Sequence, residues 1–411
     1  MSTSSIIRIG LIKQRYTSLF IYTPSVISAA PGRAEIIGNH TDYNNGYALG
    51  AAIDKYTYAA VSKRKDKHIC AFSQNFDTRI NKFPLSDISK KKGTHWTNYL
   101  KAVTLELSKK KCLTKGFNIY IASDVPASGG VSSSAALELA VGLAISRLYK
   151  IKLSLLDLAI ICQQAENGPL VASPCGFLDQ ATCALSEKNN LLFLDFLPKN
   201  KLPVSEAKTI PFDLKKHHLS FVIVVDKNVR RNLGQSGYPA RRKSCEKSLP
   251  ILSKLLHKKI SSLRKISAQE FEKYKDKFNK IDKKMRMRIE HIIYENQRVL
   301  DSIKSIKKND MQSFGNILTL SGLSALELFE LDEKTPELTF LLKKARNIKG
   351  VLGVRNMGGG FSANILVLLK SSHLDSFSAK LSTMYMKKYY HRLDFISFQP
   401  SQGANILWQL E

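Results

Sequence analysis

The stretch PASGGVSSSAA, residues 126–136, decides the fold. It follows residues 117–122, FNIYIA, which alternate as a strand should, and it opens a run with helical spacing of apolar residues at 132–148. The adjacent glycines Gly129 and Gly130 let a backbone come close to a ligand. Ser132, Ser133 and Ser134 stand where the helix begins, so their hydroxyls can cap open amides, and the helix dipole there favours an anion. Strand, glycine turn and serine-led helix describe a phosphate cradle. It is neither the G-x-x-x-x-G-K-[ST] loop nor the dinucleotide G-x-G-x-x-G. Taken alone, the same turn is also what an ordinary capped helix looks like.

Three further segments gather polar groups. PGRAEIIGNHTDY, residues 31–43, packs Arg33, Glu35, Asn39, His40, Thr41 and Asp42 beside turn glycines. Such a cluster presents donors and acceptors to a polyhydroxylated ligand, or forms an Asx-rich surface turn. PCGFLDQ, residues 174–180, places Asp179 in an apolar setting. A carboxylate there must find a partner or shift its pKa, which makes it a candidate general base; an acidic residue in a helix's first turn is the alternative. MGGGF, residues 357–361, sets three consecutive glycines before a strand at 364–369, either for close backbone approach or as a plain loop.

Outward from these segments, the 411-residue length suits two packed domains. Hydrophobic residues at 44% and aromatics at 9% support ordinary globular cores. No apolar run approaches membrane-spanning length. The first residues mix polar and apolar types with Arg8, Lys13 and Arg15, and do not read as a signal peptide. Six cysteines without metal spacing, and no C-x-x-C, read as reduced thiols of a cytosolic protein. The net charge of +29 suits either a nucleic-acid or anionic-membrane surface or lysines scattered over helix faces. With no nucleic-acid motif, the scattered reading is favoured. Strands are expected at 25–30, ending at Pro31-Gly32, and at 56–62, 69–72, 191–196, 219–226 and 394–398. Helices are expected at 96–107, 153–166, 238–257, 283–306, 337–347 and 373–390. This mixture predicts α+β layers, with a boundary in the polar segment 200–218.

Together the segments resemble the GHMP kinase superfamily and, within it, the galactokinase family. PGRAEIIGNHTDYNNGYALGAAID, residues 31–54, resembles the galactokinase signature; PASGGVSSSAA resembles the superfamily phosphate loop; PCGFLDQ resembles the segment holding the family's base. NVRRNLGQSGYPARRKSCE, residues 228–246, resembles a sugar-contacting stretch. WTNYLKAV (96–103), RIEHIIYENQRVL (288–300) and GVRNMGGGF (353–361) extend the resemblance from about residue 25 to the C-terminus. It implies a two-domain α+β GHMP kinase fold. A ribosomal protein S5 domain 2-like domain, residues 1–212, would pack on a ferredoxin-like domain, residues 213–411, with the active site between them.

The implied activity is ATP-dependent phosphorylation of the C1 hydroxyl of galactose. Asp179 matches the base, and Arg33 the arginine that keeps it ionised and offsets charge at the transferred phosphoryl group. Ser134 and Glu166 match ligands of Mg2+, the implied cofactor. Ser128, Gly129, Gly130, Ser132, Ser133 and Ser134 belong to the ATP loop, and Trp96 and Ser73 fall in stretches like the adenine pocket. Asn39, His40, Asp42, Gly176 and Tyr238 match sugar-contacting positions, with Arg33 and Asp179 beside them. Sugar and ATP are the expected partners, with no nucleic acid and no membrane, in a cytoplasmic monomer. Four departures stand out. Asn39 replaces the family's Glu near sugar C6, Ser128 replaces a glycine, the stretch 166–179 is one residue longer, and Gly322 replaces a histidine. Asn39 opens the alternative of another sugar, such as N-acetylgalactosamine, arabinose or galacturonate. A non-catalytic galactose sensor is the other alternative, although Ser134-Ala135 and Asp179 are intact.

Overall fold

Every residue of the strand Val26–Ile37 is buried, so its Val, Ile and Ala side chains are covered on both faces. The structure, a computed structural model, describes residues 3–127, 129–200, 202–229, 237–331, 335–360 and 362–410. In chain order the first half holds α1 (Thr3–Phe20), β1 (Val26–Ile37), β2 (Tyr47–Lys63), β3 (His68–Ser73), β4 (Asn81–Pro84), α2 (Thr97–Lys110), β5 (Phe117–Ser123), α3 (Ser133–Leu148), α4 (Leu155–Asn167), α5 (Leu178–Leu185), β6 (Asn190–Asp195) and β7 (Glu206–Pro211). The second half holds β8 (Leu219–Val225), α6 (Tyr238–Leu255), α7 (Ala268–Lys273), α8 (Lys275–Phe278), α9 (Lys283–Lys307), α10 (Met311–Glu327), α11 (Pro336–Ala345), β9 (Val351–Asn356), β10 (Asn364–Lys370), α12 (Leu374–Tyr389), β11 (Asp394–Phe398) and β12 (Asn405–Gln409).

One sheet runs β12-β1-β2-β5-β3-β4, with β6 and β7 attached to the far end of β2. The other runs β11-β8-β10-β9 and is antiparallel throughout. Read as fourth, first, third and second strands of its half, that is the ferredoxin-like order. The change of sheet falls between β7 and β8. The last strand returns to the first sheet, where Asn405 and Gln409 face Ala29 and Val26 of β1. Residues 405–409 therefore lie with the first half, a crossing that a division at 212/213 leaves out.

The strand expected to stop at Pro31-Gly32 continues to Ile37. The register against β2 shifts between Pro31 and Arg33, and Pro31, which has no N–H to give, stands at that shift. Past Ala29 the β12 partner ends, and the Arg33 N–H bonds instead to the Val131 carbonyl at 3.0 Å. The phosphate-cradle loop is thereby stitched onto β1.

The N-terminal residues, to which the sequence reading gave no element, form α1. Its buried Ile9, Ile12, Tyr16 and Phe20 recur at helical spacing and cluster with Ile27, Ala60, Phe72 and Tyr120 of the sheet. Helix α10 also went unread. Gly322 on it allows close approach to β9, since a Cβ there would stand 2.8 Å from the Cα of Arg355. That contact accounts for a glycine at this position.

A single apolar cluster joins the two sheets. It takes Ile36 from β1, Phe193 from β6, Phe221 from β8, Phe314 from α10 and Phe398 from β11. Phe314 is fully buried and meets Phe212 edge-on at 5.5 Å. Phe314→Ala should cost about 3–5 kcal/mol through the cavity it leaves. Because the cluster is shared, calorimetry should show both halves melting in one transition shifted to lower temperature; two separated transitions would contradict a shared core.

Candidate active site

The site assembles around Arg33, which β1 carries inward and which is 5% exposed. Its Nε and Nη2 both donate to Asp179 Oδ1, at 2.9 and 2.7 Å, and its Nη1 donates to the Gly130 carbonyl at 2.7 Å. Burial works against the guanidinium's charge, but the Asp179 and Glu35 carboxylates outweigh it and hold the arginine firmly protonated. Asp179 sits in the first turn of α5, so both sequence readings of it, partnered carboxylate and helix N-terminal acid, describe one residue. Its second oxygen accepts from Ser132 Oγ at 2.5 Å.

That hydrogen bond corrects one expectation. The serines were to cap α3, but no side-chain cap is formed there. Ser132 has left-handed backbone, φ 56°, and its hydroxyl goes to Asp179 instead. The first-turn amides of α3 thus remain without a side-chain cap, as a phosphate site requires.

Glu166, near the end of α4, is buried and accepts from Gln180 Nε2 at 2.6 Å and from the Ser134 hydroxyl. Burial raises its pKa, and the nearby Asp179 charge raises it further. Two hard oxygen donors, Ser134 and Glu166, therefore face each other beside the loop.

A polar cavity opens on the other side of Asp179, lined by Arg33, Glu35, Asn39, His40, Asp42 and Gly176 among others. The turn that supplies Asn39 is fixed by Glu295 of α9, whose Oε1 accepts from the backbone N–H of Gly38 and Asn39 at 3.0 and 3.1 Å. Asn39 Nδ2 donates to Glu35 Oε1 and to the Gly358 carbonyl, at 3.2 and 2.7 Å. His40 stacks on Phe329 with ring centroids 4.4 Å apart. Burial, with help from His291 and Arg241, keeps its pKa well below the usual range, so it is neutral at pH 7. Gly176 leaves room for Asp42: a Cβ there would lie 1.6 Å from Asp42 Oδ2 and displace that carboxylate. Burial pushes Asp42 up to about 6.

A larger cavity of about 620 Å³ lies on the loop side of α3, lined by Ser73, Trp96, Tyr99, Ser133, Ser134 and Lys227 among others. Asp77 ties its wall together, accepting from Trp96 Nε1 at 3.1 Å and from the Ser73 N–H at 2.7 Å. The structure therefore brings together Arg33, Asp179, Ser132, Ser134 and Glu166, with Asn39, His40, Asp42 and Gly176 in one cavity and Ser73, Trp96 and Ser133 in the other. Gly129 and Gly130 form the turn between them. Ser128 lies outside the described residues, as does the side chain of Tyr238 at the start of α6. Sequence reasoning gave no role to Glu295, Arg355, Gln180 or Asp77. For Glu295 and Gln180 the available signal was a polar side chain on the apolar face of a helix.

Residues 98–187 match the GHMP kinases N terminal domain, residues 14–63 the galactokinase galactose-binding signature, and residues 302–386 the GHMP kinases C terminal domain. The chain is 30% identical to the galactokinase of Clostridium acetobutylicum over 96% of its own length and 98% of that protein. It is 34% identical to the Clostridium perfringens galactokinase over 92% and 94%. Among solved structures, Lactococcus lactis galactokinase complexed with galactose aligns with a TM-score of 0.85 at 27% identity, covering 98% of this chain and 100% of that one. The mevalonate kinase of Methanococcus jannaschii shares the fold at a TM-score of 0.63, 14% identity, and 92% and 99% coverage.

The raised Asp42 pKa has a testable sign. Its charge opposes folding, and that cost is full above pH 6 and disappears as pH falls below the ordinary carboxylate range. Asp42→Asn should therefore raise the melting temperature at pH 8 but not at pH 4. Thermal scans across that range check it, and an equal shift at both ends would contradict the assignment.

Proposed function

The chain belongs to the galactokinase family of the GHMP kinases, and on that premise we propose that it transfers the γ-phosphoryl group of ATP to the C1 hydroxyl of galactose, giving galactose 1-phosphate and ADP. The observation that carries this reading is the position of Asp179. It faces the polar cavity while Arg33 and Ser132 tie it to the loop bordering the nucleotide-sized cavity.

In this reading galactose occupies the cavity of Arg33, Asn39, His40, Asp42 and Gly176. ATP occupies the cavity of Trp96 and Ser73, and its phosphates meet the amides of residues 128–134 and the α3 N-terminus. Asp179 accepts the C1 hydroxyl proton as that oxygen forms its bond to the γ-phosphorus and the bond to the β-phosphate oxygen breaks. Arg33 orients the Asp179 carboxylate through two hydrogen bonds and offsets charge on the phosphoryl group. Neutral His40 donates and accepts without adding charge to the cavity.

A hydroxyl and a buried carboxylate suit Mg2+, which favours oxygen ligands and keeps waters and phosphate oxygens as the rest of its shell. Ser134 and Glu166 would hold it, since the Ser134 hydroxyl and the buried Glu166 carboxylate meet each other beside the loop. When bound, the ion supplies neutralisation of the phosphate oxygens. We assign residues 1–212, with the returning strand β12, and the rest of 213–411 to two domains meeting at this site, in a cytoplasmic monomer. All six cysteines are free thiols, which fits a reducing compartment, and among the described residues no helix is long and apolar enough to cross a membrane.

The direct test is ADP release from purified protein with ATP and Mg2+, run against galactose, N-acetylgalactosamine, arabinose and galacturonate. Galactose should be the preferred acceptor; turnover of another sugar alone would move the substrate assignment. Asp179→Asn should lower turnover by about a thousandfold while ATP still binds. Activity within a few-fold of the parent would remove Asp179 from the role of base. Glu166→Gln and Ser134→Ala should each raise the Mg2+ concentration needed for half-maximal rate by about tenfold, with the galactose KM little changed.

A further inference from the structure

The polar cavity contains a second carboxylate that the mechanism leaves unused. Glu35 follows Arg33 by two residues on β1, so both side chains leave the strand on one face, about 7 Å apart along it. Glu35 is 4% exposed and lines the same cavity as Asp179. Fully buried Arg355 of β9 donates to its Oε1 at 2.9 Å, and Asn39 Nδ2 donates to the same oxygen at 3.2 Å. Both described donors to the carboxylate thus meet Oε1, and no described donor meets Oε2, on a side chain that lines the cavity.

Asn39 is in the opposite condition. Besides the bond to Glu35, its Nδ2 donates to the Gly358 carbonyl, and its Oδ1 accepts from Asn356 Nδ2 at 3.2 Å. An amide with both N–H groups engaged has no donor left for a ligand. Asn39 therefore acts as a strut that aims Glu35, and the free oxygen belongs to Glu35.

Resting on the galactokinase reading, we propose that Glu35 is the specificity-determining residue for the sugar: its Oε2 accepts a hydrogen bond from a galactose hydroxyl remote from C1, and its charge disfavours a uronate. With C1 held at Asp179, the separation along β1 directs Glu35 to the 3-, 4- or 6-hydroxyl. A uronate would bring a further carboxylate beside Glu35, where like charges oppose one another.

The test is a cycle between side chain and substrate. Wild-type enzyme and Glu35→Gln are assayed with galactose and its 3-, 4- and 6-deoxy forms at saturating ATP. In the wild type, one deoxy sugar should lose about 10- to 100-fold in kcat/KM, the worth of a hydrogen bond to a charged group. Glu35→Gln should lose a similar factor with galactose yet show little further loss with that same deoxy sugar, its KM for ATP unchanged. Deoxy penalties as large in the variant as in the wild type would overturn the proposal. Because Gln leaves Arg355 without an anion, Glu35→Asp supplies the second arm: it keeps the charge and withdraws the oxygen by one methylene. It should lose the same coupling, and retention of the full wild-type penalty would overturn the assignment. In competition assays galacturonate should bind wild-type enzyme at least about tenfold more weakly than galactose, and Glu35→Gln should narrow that gap; equal binding in the wild type would remove the charge argument. A wild-type enzyme inert toward galactose would overturn the galactokinase reading and this proposal with it, whereas turnover with undiminished penalties would overturn this proposal alone.

Discussion

A buried guanidinium must have its donors met, and the site follows from how Arg33 meets that demand. Three of its nitrogens reach two segments far along the chain: Asp179, 146 residues away, and the Gly130 carbonyl, 97 residues away. Leaving either partner out would strand a cation in an apolar layer, so the loop and α5 are held to one arrangement. The backbone adds a further tie, since the Arg33 N–H bonds to Val131. Asp179 and the loop at the start of α3 are thus positioned by one side chain.

The same strand face carries a second obligation. Glu35 is paired with Arg355 across the junction of the two sheets, and Glu295 of α9 reaches the Gly38–Asn39 turn from the second half. Burial would favour the neutral form of Glu295, but Arg298, His291 and Arg355 outweigh it and hold the carboxylate ionised, well below its ordinary pKa. A charged acceptor for two backbone N–H groups is stronger than a neutral one. With a common apolar cluster beneath, the cavity walls contributed by the two halves are fixed relative to each other before any ligand arrives. That preorganisation is what positioning chemistry requires.

Sequence patterning showed what is local. Strand alternation placed β5, the apolar run placed β8, and the helical spacing of α9 and α4 was plain; in α4, Ser154 and Asp157 form a capping box. Arg33 and Asp179 stood out in the sequence as a charged residue in a polar cluster and a carboxylate in an apolar setting, whereas Glu166 was singled out only through the family resemblance. What failed to show was set by distant partners. β1 passes through Pro31-Gly32 because the cradle loop replaces its missing neighbour, and β12 has an edge to join only once β1 is in place. Ser132 looked like a cap until Asp179 was brought to it. The described partners of Asn39 could not be read locally, because nothing nearby in sequence reveals Gly358 and Asn356, more than 300 residues on, which take up its amide.

Charge in the small cavity is finely set. Three carboxylates, Glu35, Asp42 and Asp179, line it with Arg33, and Arg355 pairs with Glu35 from behind. Two of the three have a guanidinium partner, whereas burial leaves Asp42 titrating at about 6. Asp42 stays where it is because Gly176 yields the space its carboxylate fills. Near neutrality the cavity thus carries one unbalanced anion whose protonation changes with small changes in pH. An ionised Asp42 is a pure acceptor, so the chain gives up some folding stability to line this cavity with a charged one. The glycine, the aspartate and the folding cost are one device, and no one of them makes sense without the other two.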